Sequence, residues 1–211
     1  MSSHVLRGAA FGVGLAAALA FAAPAMASYS ASVDATTLRI TGDGASDKVA
    51  LFADPTNLVI DVGEDGTADF SFPRTAFTTV SVTAGGGDDE VRLQGLPLDG
   101  VTVDGGTGND TLIGGPGAET LNGGSGNDLI DGNIGADTIA LGAGNDTVQW
   151  DPGDGSDVVS GDTGNDTLNF NGSNIGEEVA LVADGTHARL TRNVSHRYRA
   201  ASRLRHWAVL P

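Results

Sequence analysis

The sequence predicts an all-β fold: a β-solenoid in which short parallel strands wind into stacked coils. Three observations carry that prediction. They are a nine-residue period, an aliphatic residue held at one phase of it, and an acidic residue held at another. From Gly105 the chain falls into the lines GGTGNDTLI (105–113), GGPGAETLN (114–122), GGSGNDLID (123–131), GNIGADTIA (132–140) and LGAGNDTVQ (141–149). Trp150 and Asp151 are inserted, and the register resumes with PGDGSDVVS (152–160) and GDTGNDTLN (161–169). An outlying copy, AGGGDDEVR, occupies 84–92. A fixed period is the mark of repeat architecture.

The common pattern is G-G-x-G-x-D-x-U-x, with U a large apolar residue. Two of the eight lines match it fully. The other six each miss one position, a Gly in all but one; there Glu119 replaces Asp. The U position is filled in every line, by Val91, Leu112, Leu121, Ile130, Ile139, Val148, Val159 and Leu168. A Gly-rich spacer would have no reason to phase an aliphatic residue and an acid separately.

Each line divides into a six-residue turn, GGxGxD, and a three-residue strand, x-U-x. Alternate side chains of a strand face opposite sides, so U points inward and its neighbours outward. Two lines make one coil of about 18 residues with two opposed strands. Residues 18 apart then lie one above the other. Asp110, Asp128 and Asp146 are expected to form one column, which Asp166 continues after the two-residue insertion. Glu119, Asp137 and Asp157 are expected to form the opposite column. The core would be one layer of aliphatic residues, too thin alone to offset the ordering of so many glycines, each costing about 0.5–1 kcal/mol more than Ala.

The flanks differ from the array. His4 and Arg7 precede an apolar run from Ala9 to Ala23, followed by Pro24-Ala25-Met26-Ala27. Residues 1–27 read as a Sec-type signal peptide cut after Ala27. The run is too short to span a bilayer, which takes about 20 apolar residues. No membrane span and a secreted, extracellular chain are therefore expected. Residues 28–83 hold short alternating runs, such as Leu58-Val59-Ile60-Asp61-Val62, punctuated by Gly, Asp and Pro. They read as irregular solenoid coils or a small β-cap. Within them, Gly42 to Val49 resembles a degenerate repeat with Asp47 and Val49 near the expected phase. Repeats are assigned to 84–169. Asp89 and Asp110 are 21 residues apart, not a multiple of nine, so a change of coil geometry is expected there. Residues 170–190 read as a further β segment. The Arg-rich tail 191–211 reads as a disordered arm or a frame-shifted end, with a cationic amphipathic helix as the third reading.

Charge restricts function. The net charge is −16, from 27 acidic and 11 basic residues. Between Leu93 and Ala188 there are 16 Asp and Glu and no Lys or Arg. Such a stretch repels itself unless it stays disordered or a cation neutralises it. Nucleic acid is not an expected partner, because phosphate binding needs a basic surface. The chain has no Cys, hence no disulfide and no thiolate site. Glycines let peptide carbonyls turn toward one centre. The Asp of each turn adds a hard anionic oxygen. Ca²⁺ takes six to eight such oxygens in flexible geometry, so turns shared between stacked coils suit several calcium ions.

These lines resemble the RTX, or haemolysin-type, calcium-binding nonapeptide repeats. The resemblance is specific over 105–169, fair at 84–92 and faint elsewhere. It implies a right-handed parallel β-roll whose folding is driven by Ca²⁺. It carries Asp89, Asp110, Asp128, Asp137, Asp146, Asp157 and Asp166 over as metal ligands. Glu119 is a weaker candidate because its longer side chain shifts the carboxylate. Two departures stand out: RTX proteins often use an uncleaved C-terminal secretion signal, and they often carry an attached enzyme or toxin domain.

No enzyme is expected. The sequence has no H-E-x-x-H helix and no G-x-S-x-G elbow. The Asn-Asp-Thr triplets at 109, 145 and 165 match glycosylation sequons, but the repeat generates them. Trp150 and Pro152 mark a local bulge expected to re-aim the coil and cover an edge. The reading is a secreted calcium-binding protein. An extracellular adhesion or matrix module, and the truncated remnant of a larger RTX exoenzyme, are the alternatives. The sequence names no protein or surface partner.

Overall fold

A computed structural model of the protein describes residues 28–95, 98–172, 178–184 and 187–193. The signal-peptide assignment to 1–27 lies outside the described residues, as does the tail beyond 193. The described residues form strands joined by turns, with no helix among them. Phased U residues explain this. Short strands alternate exposed or half-buried positions around one buried aliphatic residue, as in β9 (Thr111–Ile113), where Leu112 is fully buried. The strand Val158–Ser160 departs, with Val159 half-buried and Ser160 buried.

Two sheets face one another across that aliphatic layer. Four coils form the regular part. Each has one strand in either sheet: β8 (Thr102–Thr107) with β9, β10 (Thr120–Ser125) with β11 (Leu129–Asp131), β12 (Thr138–Ala143) with β13 (Thr147–Trp150), and β14 (Val158–Ser160) with β15 (Thr167–Phe170). Successive strands within a sheet pair in parallel, with Leu112, Ile130, Val148 and Leu168 opposite one another in one sheet. Val103, Leu121, Ile139 and Val159 do the same in the other. Seven of the eight U residues of the repeats stand in these two ladders, and Val103 supplies the coil that lacks one; the eighth, Val91, pairs with Leu112 one coil earlier.

The N-terminal coils join the same sheets with longer excursions. β2 (Thr37–Thr41) and β6 (Thr79–Gly86) pair in parallel and lead into β8, while β3 (Lys48–Ala53) and β7 (Glu90–Gln94) lead into β9. Between β3 and β6 the chain makes an antiparallel excursion, β4 (Asn57–Val62) with β5 (Phe70–Pro73), which extends the second sheet beyond β3. β1 (Ser30–Asp34) folds back antiparallel on β2 and forms the edge of the first sheet. At the far end β17 (His187–Asn193) pairs antiparallel with β14, and β16 (Glu178–Asp184) pairs with β17. Both ends of the first sheet thus finish in antiparallel strands.

Two sequence expectations are refined. The 21-residue step from Asp89 to Asp110 predicts altered coil geometry, yet Val91 still pairs with Leu112 in unbroken register. The surplus is absorbed in the connection between β7 and β8, because ladder bonds fix strand register while loop length costs little. Trp150 was expected to cover an edge. It is fully buried and stacks on Phe170, with ring centroids 4.8 Å apart at 14°. The bulge falls after it, and β13 and β15 keep register from Thr147–Thr167 to Trp150–Phe170.

The thin core makes each U residue matter. Leu112→Ala should destabilise the folded chain by about 2–4 kcal/mol, read from denaturant unfolding. Leu129→Ala, on the outward face and 42 % exposed, should stay within about 0.5 kcal/mol of the parent.

Candidate metal centre

Turn geometry sets the site. In the sixth position of each line the Asp side chain points into the stack, not to solvent. Asp110, Asp128, Asp137, Asp146 and Asp157 are each 3 % exposed or less, and Asp89 and Glu119 are as deeply buried. Asp166, in the last coil, is half-buried. The expected columns are present. The backbone N–H of Asp89 donates to Asp110 Oδ1, that of Asp110 to Asp128 Oδ1 and that of Asp128 to Asp146 Oδ1, each at 2.8 Å. Asp146 continues to Asp166 at 3.1 Å. In the opposite column Glu119 N–H donates to Asp137 Oδ1 at 2.8 Å and Asp137 N–H to Asp157 Oδ1 at 3.0 Å.

Each of these aspartates therefore uses one oxygen to tie its coil to the one before. The second oxygen is the informative one. Oδ2 of Asp89, Asp110, Asp128, Asp137 and Asp146, and Oε1 of Glu119, are buried and meet no hydrogen-bond donor of the protein. A buried carboxylate oxygen without a partner is costly, and a run of them points to a counter-ion. Among the described residues no ion pair reaches a column carboxylate: Lys48 and Arg92 pair with Glu90, Arg92 also with Glu64 at 3.3 Å, and Arg39 with Asp34.

Backbone oxygens converge on the same places. A Cβ on Gly105 would lie 2.5 Å from Asp110 Oδ2 and 2.6 Å from the carbonyl oxygen of Gly123 in the next coil. Only a glycine lets carboxylate and carbonyl approach the same point. The arrangement recurs at Gly123, against Asp128 and the Leu141 carbonyl. No group of three or more His, Cys, Asp or Glu side chains converges among the described residues. A cation here would thus take one carboxylate per turn and complete its shell with peptide carbonyls, which suits a hard ion of flexible geometry.

Glu119 departs in detail. Its Oε2 accepts the N–H of Gly115 within its own turn, at 3.1 Å. The longer side chain curls back into that turn and still leaves Oε1 buried and unpartnered.

Burial pushes the column acids up. Asp137 rises to about 7, and Asp89, Asp146 and Asp157 to about 6, from 3.8. Hydrogen bonds to the carboxylates oppose the shift, and neighbouring column charges add to it. Asp110, Asp128, Asp166 and Glu119 shift the same way, again chiefly through burial. The metal-free fold holds extra protons, so protonation supports it fully below the ordinary carboxylate value. That support is lost as pH rises through about 6 to 7.

Sequence reasoning missed one feature and left another, the phase of Asp47, without a place in a column. An outer ladder runs beside the first column: the N–H of Asn127 donates to Asn109 Oδ1 and that of Asn145 to Asn127 Oδ1, both at 2.8 Å, and Asn165 follows at 3.0 Å. The recurring Asn-Asp pairs carried that signal, and the ladder is a structural reason for the sequon-like triplets. The second feature is Asp47. It is buried and donates its N–H to Asp89 Oδ1 at 2.8 Å, so it heads the first column.

A family model described as the RTX calcium-binding nonapeptide repeat (4 copies) matches residues 102–128, 113–148 and 152–174. No curated protein matches the chain.

Gly123→Ala tests the cradle. Its Cβ would meet Asp128 Oδ2 and the Leu141 carbonyl, so calcium titration should show at least one site weakened about tenfold or more, equivalent to about 1.4 kcal/mol. Protons and cations should compete for the raised carboxyls. Calcium affinity at pH 5.5 should fall well below that at pH 8, and calorimetry in buffers of different ionisation enthalpy should detect proton release near pH 6 and little above pH 8.

Proposed function

We propose, from the RTX calcium-binding nonapeptide repeats that residues 102–174 carry, that this is a secreted protein whose β-roll folds as it binds calcium. The carrying observation is the run of buried, unpartnered carboxylate oxygens stacked at one-coil spacing with no cationic side chain among the described residues against them. Asp89, Asp110, Asp128, Asp137, Asp146, Asp157 and Asp166 are the proposed ligands, with Glu119 beside them. Each would supply one carboxylate oxygen, and the turn carbonyls the remainder. Calcium supplies the positive charge that lets these carboxylates stay ionised inside the stack.

The energetics favour coupled folding. A one-layer core and a glycine-rich chain leave little net stability without the ion. An ion held between coils binds the folded chain alone, so its binding free energy adds to stability. Each ion touches two coils, which makes binding cooperative. Site affinities of about 10⁻⁴–10⁻³ M are expected, as for extracellular modules. Export accords with this range, because calcium of that concentration is met outside cells; the signal-peptide reading of residues 1–27 supports it. The proposed organisation is a leader at 1–27, irregular coils at 28–83, the calcium roll at 84–169, a closing β segment at 170–190 and a basic tail at 191–211.

Far-UV circular dichroism during a Ca²⁺ titration, with Mg²⁺ as control, tests the reading. A cooperative rise of β-signal with Ca²⁺ alone is expected. No response to either ion would overturn it, and a chain fully folded without metal would remove calcium from the folding step. Asp128→Asn keeps the Oδ1 acceptor but removes a mid-column charge; it should move the titration midpoint upward several-fold and lower its steepness.

A further inference from the structure

The first column continues past the matched repeats. Asp47 precedes Asp89 by 42 residues, yet it makes the same N–H to Oδ1 contact that links Asp110 to Asp128. It belongs to the segment GDGASDKVA (42–50), where Gly42, Asp47 and Val49 fill the first, sixth and U positions. Val49 pairs with Val91 in register. Oδ2 of Asp47, like that of Asp89, is buried and meets no donor.

What closes this end of the column is a tyrosine. In a regular line the first glycine faces its own Asp and a carbonyl of the next coil, as Gly105 faces Asp110 and Gly123. Gly42 keeps the carbonyl, from Ala84, but its other neighbour is Tyr29, whose Cζ lies 3.0 Å from the Cβ position. Tyr29 precedes β1 and is 8 % exposed; its hydroxyl oxygen is buried and also lacks a partner. Burial, then the charges of Asp89, Asp47, Asp110 and Asp43, raise the phenol above the usual tyrosine range, so it stays a neutral hydroxyl. A plug that merely filled the space would hydrogen-bond its hydroxyl to Asp47 or Asp89. Instead the Tyr29 hydroxyl and Oδ2 of Asp47 and Asp89, buried oxygens from separate segments, all go without a hydrogen-bond partner, while the charges of both aspartates act on the phenol. Lys48, adjacent in sequence, is engaged with Glu90.

We propose that Asp47, Asp89, the Ala84 carbonyl and the Tyr29 hydroxyl form a further site for a hard divalent cation such as Ca²⁺, which fastens the segment leading into β1 to the first coil. This rests on the reading of the columns as calcium ladders. It adds a tyrosine, and a segment outside the matched repeats, to the metal-binding system.

Equilibrium dialysis against ⁴⁵Ca²⁺ counts the ions bound by the parent chain, Asp47→Asn and Tyr29→Phe, with circular dichroism on the same samples. Asp47→Asn should bind one ion fewer and keep its β-signal. Tyr29→Phe should keep the ring packing and bind one ion about three- to tenfold more weakly. Equal counts and equal isotherms in all three proteins would overturn the site and leave Tyr29 as a buried cap. Should Asp47→Asn lose its β-signal, Tyr29→Phe decides alone, and an unchanged isotherm overturns the proposal. A parent chain that binds no calcium would sink the ladder reading itself, a result distinct from loss of this one site.

Discussion

In the columns, one carboxylate oxygen of each linked aspartate accepts a backbone N–H from the preceding coil, and in Asp89, Asp110, Asp128, Asp137 and Asp146 the other is buried without a donor. The first contact fixes the height and phase of successive turns. The second leaves a negative charge that no cationic side chain among the described residues answers. Both facts follow from placing an acid at the end of a six-residue turn that repeats every coil. The strands, the aliphatic ladder and the close glycine contacts are all arranged around that placement. With the acids removed, a glycine-rich chain with a one-residue-deep core would have little reason to choose this fold.

The two halves of the structure handle that constraint differently. Along the repeats the spacing is 18 residues, or 20 where the Trp150–Asp151 insertion falls, and the column stays in step. Towards the N-terminus the spacing grows to 21 and then 42. The antiparallel excursion of β4 and β5 accounts for much of the larger step, and it carries its own apolar residues, Leu58 and Ile60, into the core. Among the described residues, the ion-paired cations sit on this side too. Lys48 and Arg92 engage Glu90 and Glu64 instead of column acids. The acidic interior and the mixed-charge exterior are thus kept apart, which leaves the columns free for an ion that is not part of the chain.

Much of this was legible in the residues. Eight phased U positions predicted the ladders, and the sixth-position acids predicted both columns down to which residues share which. Trp150 was less legible, because an insertion reads equally well as a surface bulge; burial against Phe170 is decided by what lies one coil away. The Asn ladder was hidden in plain pattern. Asn beside Asp serves a bond between coils, and a single line of sequence does not reveal what lies above it. Asp47 was noticed as near phase but could not be joined to Asp89 by counting.

The sequence by itself determined the period, the inward residues, the identity of the stacked acids and the absence of any Lys or Arg between Leu93 and Ala188. Those are local properties: a turn of fixed length, a strand of three residues and the glycines that permit close approach. Only the tertiary structure decided that Asp47 belongs to the same column as Asp89, that Tyr29 packs against Gly42 at its head, and that a 21-residue step leaves the register intact. The physical reason is that parallel strand pairing depends on hydrogen bonds between neighbouring coils. It is nearly indifferent to how much chain loops out between them, so periodicity in sequence reveals a column only where the loops are of constant length.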